Sequence, residues 1–155
     1  MRLRIVTIGA RAPQWVADGF ADYARRMPRH LPLELHELAA PSRKGRPVAD
    51  CQRQEAVMLR KAAGANSQLI ALHEHGRAMR SQQLARRFEG WLAAGRDLAL
   101  LIGGPDGLDD ELLRAADLQW SLGPMTLPHA LVRIVVAEQL YRAWSLLEGH
   151  PYHRE

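Results

Sequence analysis

The stretch LALLIGGPDG, residues 98–107, decides the fold. Its first half, 98–102, is a continuous apolar run, which is typical of a strand that is covered on both faces of a parallel sheet. The run leads directly into a turn rich in glycine and proline, where glycines allow the backbone to approach a ligand closely. This stretch therefore predicts an α/β fold with a ligand loop at the carboxyl end of a central strand.

Strand and helix patterns alternate on both sides of this stretch. Strands are predicted at 3–8, 31–35, 68–72, 98–102 and 118–122. Helices are predicted to start at Pro13, at about 48 (ending at 63), after a cap at Ser81 (ending before Gly95), after a cap at Asp109, and at about 130 (ending at 147). Such alternation predicts a mostly parallel sheet with helices on both faces. Because no linker or internal repeat interrupts it, we expect a single domain over 1–155.

Composition narrows the class of protein. The chain has 155 residues, 47% of them hydrophobic, which is enough for one core. No apolar run approaches the roughly 20 residues that a bilayer requires, so we expect a soluble, cytoplasmic protein. Cys51 is the only cysteine, which excludes an internal disulfide and fits a reducing compartment.

The formal net charge is +4, and the basic residues are clustered. The clusters are Arg25, Arg26 and Arg29; Arg43, Lys44 and Arg46; and Arg86 and Arg87. A basic surface suits a polyanionic partner such as RNA, although for any one cluster taken alone a solvated face is the favoured interpretation.

Three strand ends carry the candidate ligand loops, at 72–76, 102–107 and 122–129. In a parallel sheet such ends gather at one edge, where backbone groups and apolar walls can hold an adenine and a ribose. The 103–107 loop is neither a Walker A loop nor a G-x-G-x-x-G fingerprint, which disfavours phosphate binding, and a plain tight turn remains an alternative. His73 and His75 resemble a metal pair, but no third ligand stands out, so no metal site is expected.

Long motifs resemble the RlmH family of the SPOUT methyltransferases. The resemblance spans essentially the whole chain and is densest in LIGGPDGL (101–108), WSLGPMTLPH (120–129), EQLYRAW (138–144) and PYHR (151–154). It implies a carboxyl-terminal trefoil knot, S-adenosylmethionine as cofactor, and a homodimer with the cofactor beside the interface. It also implies methylation of N3 of a pseudouridine in 23S ribosomal RNA, with the assembled ribosome as substrate.

The resemblance assigns residues to the cofactor pocket. They are Leu72, Gly103, Gly104, Leu122, Gly123, Pro124, Met125, Thr126 and Leu127. Two positions depart from the usual family pattern, since Leu-Asp is replaced here by Leu72-His73 and Ser-Leu-Ser by Ser121-Leu122-Gly123. Only backbone contacts are carried over at those two sites.

Glu138 and Arg142 are spaced i, i+4 on the last helix, which by spacing alone suggests an ordinary surface ion pair. The resemblance implies that both residues are catalytic, together with Tyr152 and His153. Arg142 is expected to pair with a phosphate or the anionic ring, and Glu138 to orient it. The general base stays open among His153, Glu138 and solvent.

RNA contacts are expected from residues of the basic clusters and from the second half of the chain. They are Arg25, Arg26, Arg43, Lys44, His129 and Arg154. For His129, helix capping or turn packing is an alternative to RNA contact. The competing functions are a non-catalytic ribosome- or RNA-binding protein on the same scaffold, and methylation of a different RNA.

Overall fold

The computed structural model describes residues 1–9 and 11–154, with side chains through residue 152. Five strands alternate with five α-helices, and a short 3-10 helix follows. The elements are β1 (Leu3–Ile8), α1 (Gln14–Arg26), β2 (Leu33–Leu38), α2 (Val48–Ala63), β3 (Gln68–Ala78), α3 (Ser81–Ala94), β4 (Leu98–Ile102), α4 (Asp110–Ala115), β5 (Leu118–Ser121), α5 (His129–Leu147) and the 3-10 helix Pro151–Arg154.

The strands form one sheet in the order β2-β1-β4-β3-β5, and every pair is parallel. β4 is the central strand, as its continuous apolar run predicts, and Leu98 is in register with Leu3 on one side and Gln68 on the other. All five residues of β4 are buried. The predicted parallel α/β fold is confirmed.

Helices cover both faces of the sheet, because alternate strand residues point to opposite sides. Leu98 and Leu100 join one apolar cluster with side chains of α1, α3 and α5. Ala99 and Leu101 join a second cluster with side chains of α2 and α4. Each face of the sheet therefore has its own core.

Two strands differ from the sequence prediction. β2 spans Leu33–Leu38 instead of 31–35, because its partners are the six residues of β1, which pair it as far as Leu38 opposite Ile8. β3 does not end at Leu72 but continues to Ala78. Its pairing with β5 slips between Leu72 and Arg77, so 73–76 bulges out of the ladder.

Capping at the helix starts follows the sequence in part. Asp109 caps α4 as predicted, accepting hydrogen bonds from the backbone N–H groups of Glu111 and Leu112. The predicted cap at Ser81 is wrong, since Ser81 is the first residue of α3 and Arg80 occupies the cap position. There the Gln83 side chain accepts a hydrogen bond from the Arg80 backbone N–H at 2.9 Å.

The last helix packs against both α1 and α3 on one face of the sheet. The chain then turns back, so that the ring of Tyr152 lies 4.8 Å from that of Tyr141. Over the described residues, no helix is long and apolar enough to cross a membrane. The trefoil knot stays a prediction of the family resemblance.

Candidate active site

A cleft of about 600 Å³ opens at the carboxyl edge of the sheet, between the bulge of β3 and the loops that follow β4 and β5. All nine residues predicted to bind the cofactor line it: Leu72, Gly103, Gly104, Leu122, Gly123, Pro124, Met125, Thr126 and Leu127. Apolar side chains of Ile102, Leu108, Trp120 and Val132 add to the walls. The cleft thus combines exposed backbone with apolar surface, which suits a flat heterocycle.

Glycine is required at Gly103 because the loop folds back on itself. A Cβ there would lie 2.7 Å from the carbonyl carbon of Gly107, too close for any side chain. The neighbouring Gly104 lies against the carboxylate of Glu55, whose oxygens would be 3.2 Å from a Cβ. The loop is therefore a tight turn held by its own close contacts, and it also forms part of the cleft wall.

The charged side chains that line the cleft are acidic. They are Glu74, Asp106 and Asp110, and no lysine or arginine lines the cleft among the residues that the structure describes. Such a site favours a cationic ligand over a phosphate. His73, one of the two departures from the family pattern, also lines the cleft. Its Nδ1 is buried and has no hydrogen-bond partner in the described part of the chain.

Glu55 is a residue of this region that the sequence reading did not single out. It is buried, and its carboxylate pairs with Arg43 at 3.1 Å. Arg43 also bonds to Asp106 in the glycine loop. The signal in the sequence is a glutamate on the apolar stripe of a helix, four residues after Cys51 and four before Leu59.

The predicted catalytic side chains form a second cluster, on α5 and the tail. Arg142 donates to the Glu138 carboxylate from Nε at 2.8 Å and from Nη2 at 2.7 Å. The hydroxyl of Tyr152 donates to the same carboxylate at 3.1 Å, and the Arg142 guanidinium lies 5.1 Å from the centre of the Tyr152 ring. Three of the four predicted residues are thus in contact, while the side chain of His153 lies outside the described residues.

Burial, followed by its hydrogen-bonding neighbours Tyr23 and Glu138, raises the pKa of the Tyr152 phenol well above its ordinary value. The phenol therefore keeps its proton near neutral pH. In this cluster Tyr152 can donate a hydrogen bond but does not act as a base.

Within one chain this cluster is far from the cleft. The first residue of α5, His129, contacts the cleft loop. Val132, in the first turn of the same helix, still lines the cleft, and Arg142 follows ten residues later, which at about 1.5 Å per residue places it about 15 Å farther along the helix axis. None of Glu138, Arg142 or Tyr152 lines the cleft.

The predicted RNA-binding residues fall in different places. Arg25 and Arg26 lie at the end of α1, where both pair with Asp22, and the Arg26 guanidinium lies 5.9 Å from the centre of the Tyr141 ring. Lys44 is exposed in the loop before α2.

Of the other three predicted RNA-binding residues, two have side chains that are engaged by groups of the chain itself, and one has a side chain outside the described residues. Arg43 is held by the ion pairs with Glu55 and Asp106. His129 is partly buried, with both ring nitrogens in contact with groups of the chain itself. The side chain of Arg154 lies outside the described residues.

No metal site emerges from the geometry. The described residues contain no group of three or more His, Cys, Asp and Glu side chains placed to hold an ion. His73 and His75 do not form a metal pair with any third ligand there; their rings lie 5.5 Å apart in an edge-to-face contact.

Comparison with known proteins identifies the family. The family model described as "Predicted SPOUT methyltransferase" matches residues 1–153. The chain is 45% identical over 156 residues to Ribosomal RNA large subunit methyltransferase H of Hahella chejuensis, with all of both chains covered. It is 50% identical over 155 residues to the protein of the same name from Xanthomonas oryzae pv. oryzae, with 99% of each covered.

Solved structures share the fold. A probable methylase family protein from Haemophilus influenzae matches with a TM-score of 0.61 at 16% identity, over 97% of this chain and 69% of that one. A methyltransferase of Legionella pneumophila, in complex with its bound cofactor SAM, matches with a TM-score of 0.51 at 13% identity, over 92% of this chain and 66% of that one.

Proposed function

This chain belongs to the SPOUT methyltransferase family, and from that premise we propose that it methylates large-subunit ribosomal RNA with S-adenosylmethionine as methyl donor. Its relatives at 45% and 50% identity, matched over nearly their full length, carry the name of that activity. Following the RlmH family, the target is N3 of a pseudouridine in 23S ribosomal RNA on the assembled ribosome. A ribosomal substrate places the protein in the cytoplasm.

The observation that carries the proposal is the cleft formed by three strand ends. Its apolar walls and exposed loop backbone suit an adenine and ribose, and its acidic rim at Glu74, Asp106 and Asp110 suits the positive charges of the sulfonium and amino groups. His73 adds a buried nitrogen without a partner, which can bond to a ligand hydroxyl. The residues present therefore fit the cofactor, which when bound supplies an electrophilic methyl group.

The cluster of Glu138, Arg142 and Tyr152 binds the RNA base and stabilises its anion. The imide nitrogen of pseudouridine is a poor nucleophile while protonated, so the site must favour its anion. Arg142 can stabilise that anion or bind the adjoining phosphate, and Glu138 orients Arg142 through two short contacts. Tyr152 can donate a hydrogen bond or stack on a base. The general base remains open among His153, Glu138 and solvent.

The separation of about 15 Å along α5 between Val132 in the cleft wall and Arg142 leads us to propose a homodimer in which each site is shared. The cleft of one copy is completed by the Glu138, Arg142 and Tyr152 cluster of a second copy. Large apolar side chains near the carboxyl edge of the sheet support an interface there, since Trp15 is 57% and Met125 78% exposed. A site shared between two copies would bring the cofactor cleft and the catalytic side chains together without any rearrangement of α5 within one chain.

We infer that basic residues of this domain contribute to RNA recognition. Arg26 lies 5.9 Å from the Tyr141 ring, which in turn contacts Tyr152, and Arg25 is its neighbour on α1, so both add positive charge on the side of the catalytic cluster. Lys44 is exposed in the loop before α2, and Arg154 belongs to the tail motif. Phosphate contacts from these side chains would orient the RNA, while the ribosome supplies the remaining contacts.

Mass spectrometry of 23S ribosomal RNA from cells with and without the gene tests the proposal. We expect a nucleoside carrying one additional methyl group only in cells that have the gene, restored by the wild-type chain. Calorimetry with S-adenosylmethionine should show binding of micromolar order. Unchanged RNA together with an absence of binding heat would favour a non-catalytic RNA-binding protein. Methylation at another position would keep the chemistry and change the target.

A further inference from the structure

A line of polar contacts connects β2 with the glycine loop of the cleft. Glu37 accepts a hydrogen bond from Nη1 of Arg133 at 2.7 Å and another from the Ala12 backbone N–H at 2.9 Å. Nη2 of Arg133 lies 3.3 Å from Nδ1 of His129. Nε2 of His129 lies 2.8 Å from the carbonyl oxygen of Gly103. The line therefore ends on the backbone of a cleft residue.

The chemistry of these groups fixes which atom donates. A guanidinium can only donate, so Nδ1 of His129 must accept from Arg133. The ring hydrogen then resides on Nε2, which donates to the carbonyl of Gly103. Only the neutral Nε2–H form of His129 satisfies both contacts. Arg133 thus selects the tautomer that holds the loop.

Holding this carbonyl fixes the whole peptide unit between Gly103 and Gly104. The unit is planar and trans, so its N–H points away from its C=O. With the oxygen directed at His129, the N–H of Gly104 is directed away from His129. Both glycines line the cleft, and neither carries a side chain that could restrict rotation of the peptide. The pairing of Gly104 with Gly107 restrains one side of this peptide, and the contact from His129 adds a restraint on the Gly103 carbonyl.

Arg133 is a charged side chain that is buried within α5. It is 2% exposed, and its Nε has no hydrogen-bond partner within the described residues. An ion pair that only joined α5 to β2 would not require the second guanidinium nitrogen to face a histidine. The extension to His129 and Gly103 points to a role at the cleft.

We propose that His129, held by Arg133 and Glu37, is a positioning residue that sets the Gly103–Gly104 peptide for binding of S-adenosylmethionine. This rests on the proposed function of the cleft. It gives His129 a part in cofactor affinity instead of RNA contact. The expected effect of losing the contact is a rise in Kd and in KM for the cofactor, with kcat largely kept.

A matched pair of variants at one position tests the inference. In His129→Gln the side-chain amide nitrogen can take the place of Nε2 while its oxygen accepts from Arg133. In His129→Asn the shorter amide reaches only the Nδ1 position. We expect the Asn variant to bind S-adenosylmethionine about tenfold more weakly than wild type, and the Gln variant to stay within about threefold. His30→Asn, at an exposed site in the loop before β2, is the control and should bind as wild type does.

A second variant covers the case in which a change at His129 prevents folding. Arg133→Lys keeps a charge for Glu37 but has one nitrogen in place of two, so it loses the contact with His129. It should also raise the Kd, with folding checked by thermal unfolding. If folded His129→Asn and Arg133→Lys both bind like wild type, the inference is wrong while the proposed function stands. If the wild-type chain itself does not bind the cofactor, the proposed function fails first.

Discussion

Two defective variants, mixed, should restore activity if the active site is shared between two copies. The first variant is Gly103→Ala, which places a Cβ 2.7 Å from the backbone of Gly107 and forces the cleft loop to move. The second is Arg142→Ala, which removes the guanidinium bonded to Glu138 and leaves the cleft intact. Each variant alone should be inactive. Arg142→Ala should bind S-adenosylmethionine within about twofold of wild type, because the change leaves every residue that lines the cofactor cleft in place.

The magnitude follows from the geometry. In a mixed dimer, one site combines the intact cleft of the Arg142→Ala copy with the intact tail of the Gly103→Ala copy. The other site carries both defects. Random exchange of equal amounts makes about half of the dimers mixed, with one working site in two, so activity should return to about one quarter of wild type.

The assay is methyl transfer from labelled S-adenosylmethionine to ribosomes isolated from cells that lack the gene. The two variants are purified separately, exchanged under conditions where dimers dissociate, and compared with each variant alone at the same total concentration. Sedimentation or light scattering confirms that the mixture is dimeric.

A chain that built its own complete site would give a different result. Every copy in the mixture would then carry one defect in its own site, and activity would stay at the level of the single variants. That outcome, or a strictly monomeric wild-type protein, would refute the shared site.

Two further predictions concern stability. Gly76→Ala should lower the free energy of unfolding by about 1–3 kcal/mol, because the new Cβ would lie 2.7 Å from the backbone of Gln119 in the neighbouring strand. Gly90→Ala is the matched control, since nothing lies within 4 Å of a Cβ built there. Urea unfolding should show the Gly90→Ala variant to be about as stable as wild type, or up to about 1 kcal/mol more stable. A hydrogen bond from the Arg2 backbone N–H holds the pKa of Asp97 below its ordinary value of 3.8, so this carboxylate stabilises the fold above that pH and its contribution is lost as the pH falls through the lowered pKa. The stability difference between wild type and Asp97→Asn should therefore shrink on acidification below 3.8, and a difference that did not change with pH would contradict the assigned linkage.

Much of the architecture could be read from local patterns. The apolar run 98–102 identified the central strand, and the helix predicted for 48–63 has those bounds in the structure. Local periodicity suffices for such elements because each residue's burial depends on which face of its own strand or helix it occupies. The residues of the cofactor loops came from the family motifs, and they meet because parallel strands end at one edge.

Strand ends were less well defined by local pattern. The extension of β3 to Ala78 depends on pairing with β5, a strand some forty residues later. The close approach of β5 requires a glycine at position 76, because a Cβ there would lie 2.7 Å from the backbone of Gln119. Nothing within 73–76 itself reveals which strand will lie alongside.

By itself, then, the sequence determined the alternating α/β order, the three ligand loops and the identity of the candidate catalytic residues. Only the tertiary structure decided their relations. It separated Arg142 from the cleft by about half of the length of α5, and it joined Arg133 to Glu37 across 96 positions and His129 to Gly103 across 26. The physical reason is that periodicity reports which way a side chain faces, while a hydrogen bond depends on the distance between atoms that folding alone brings together.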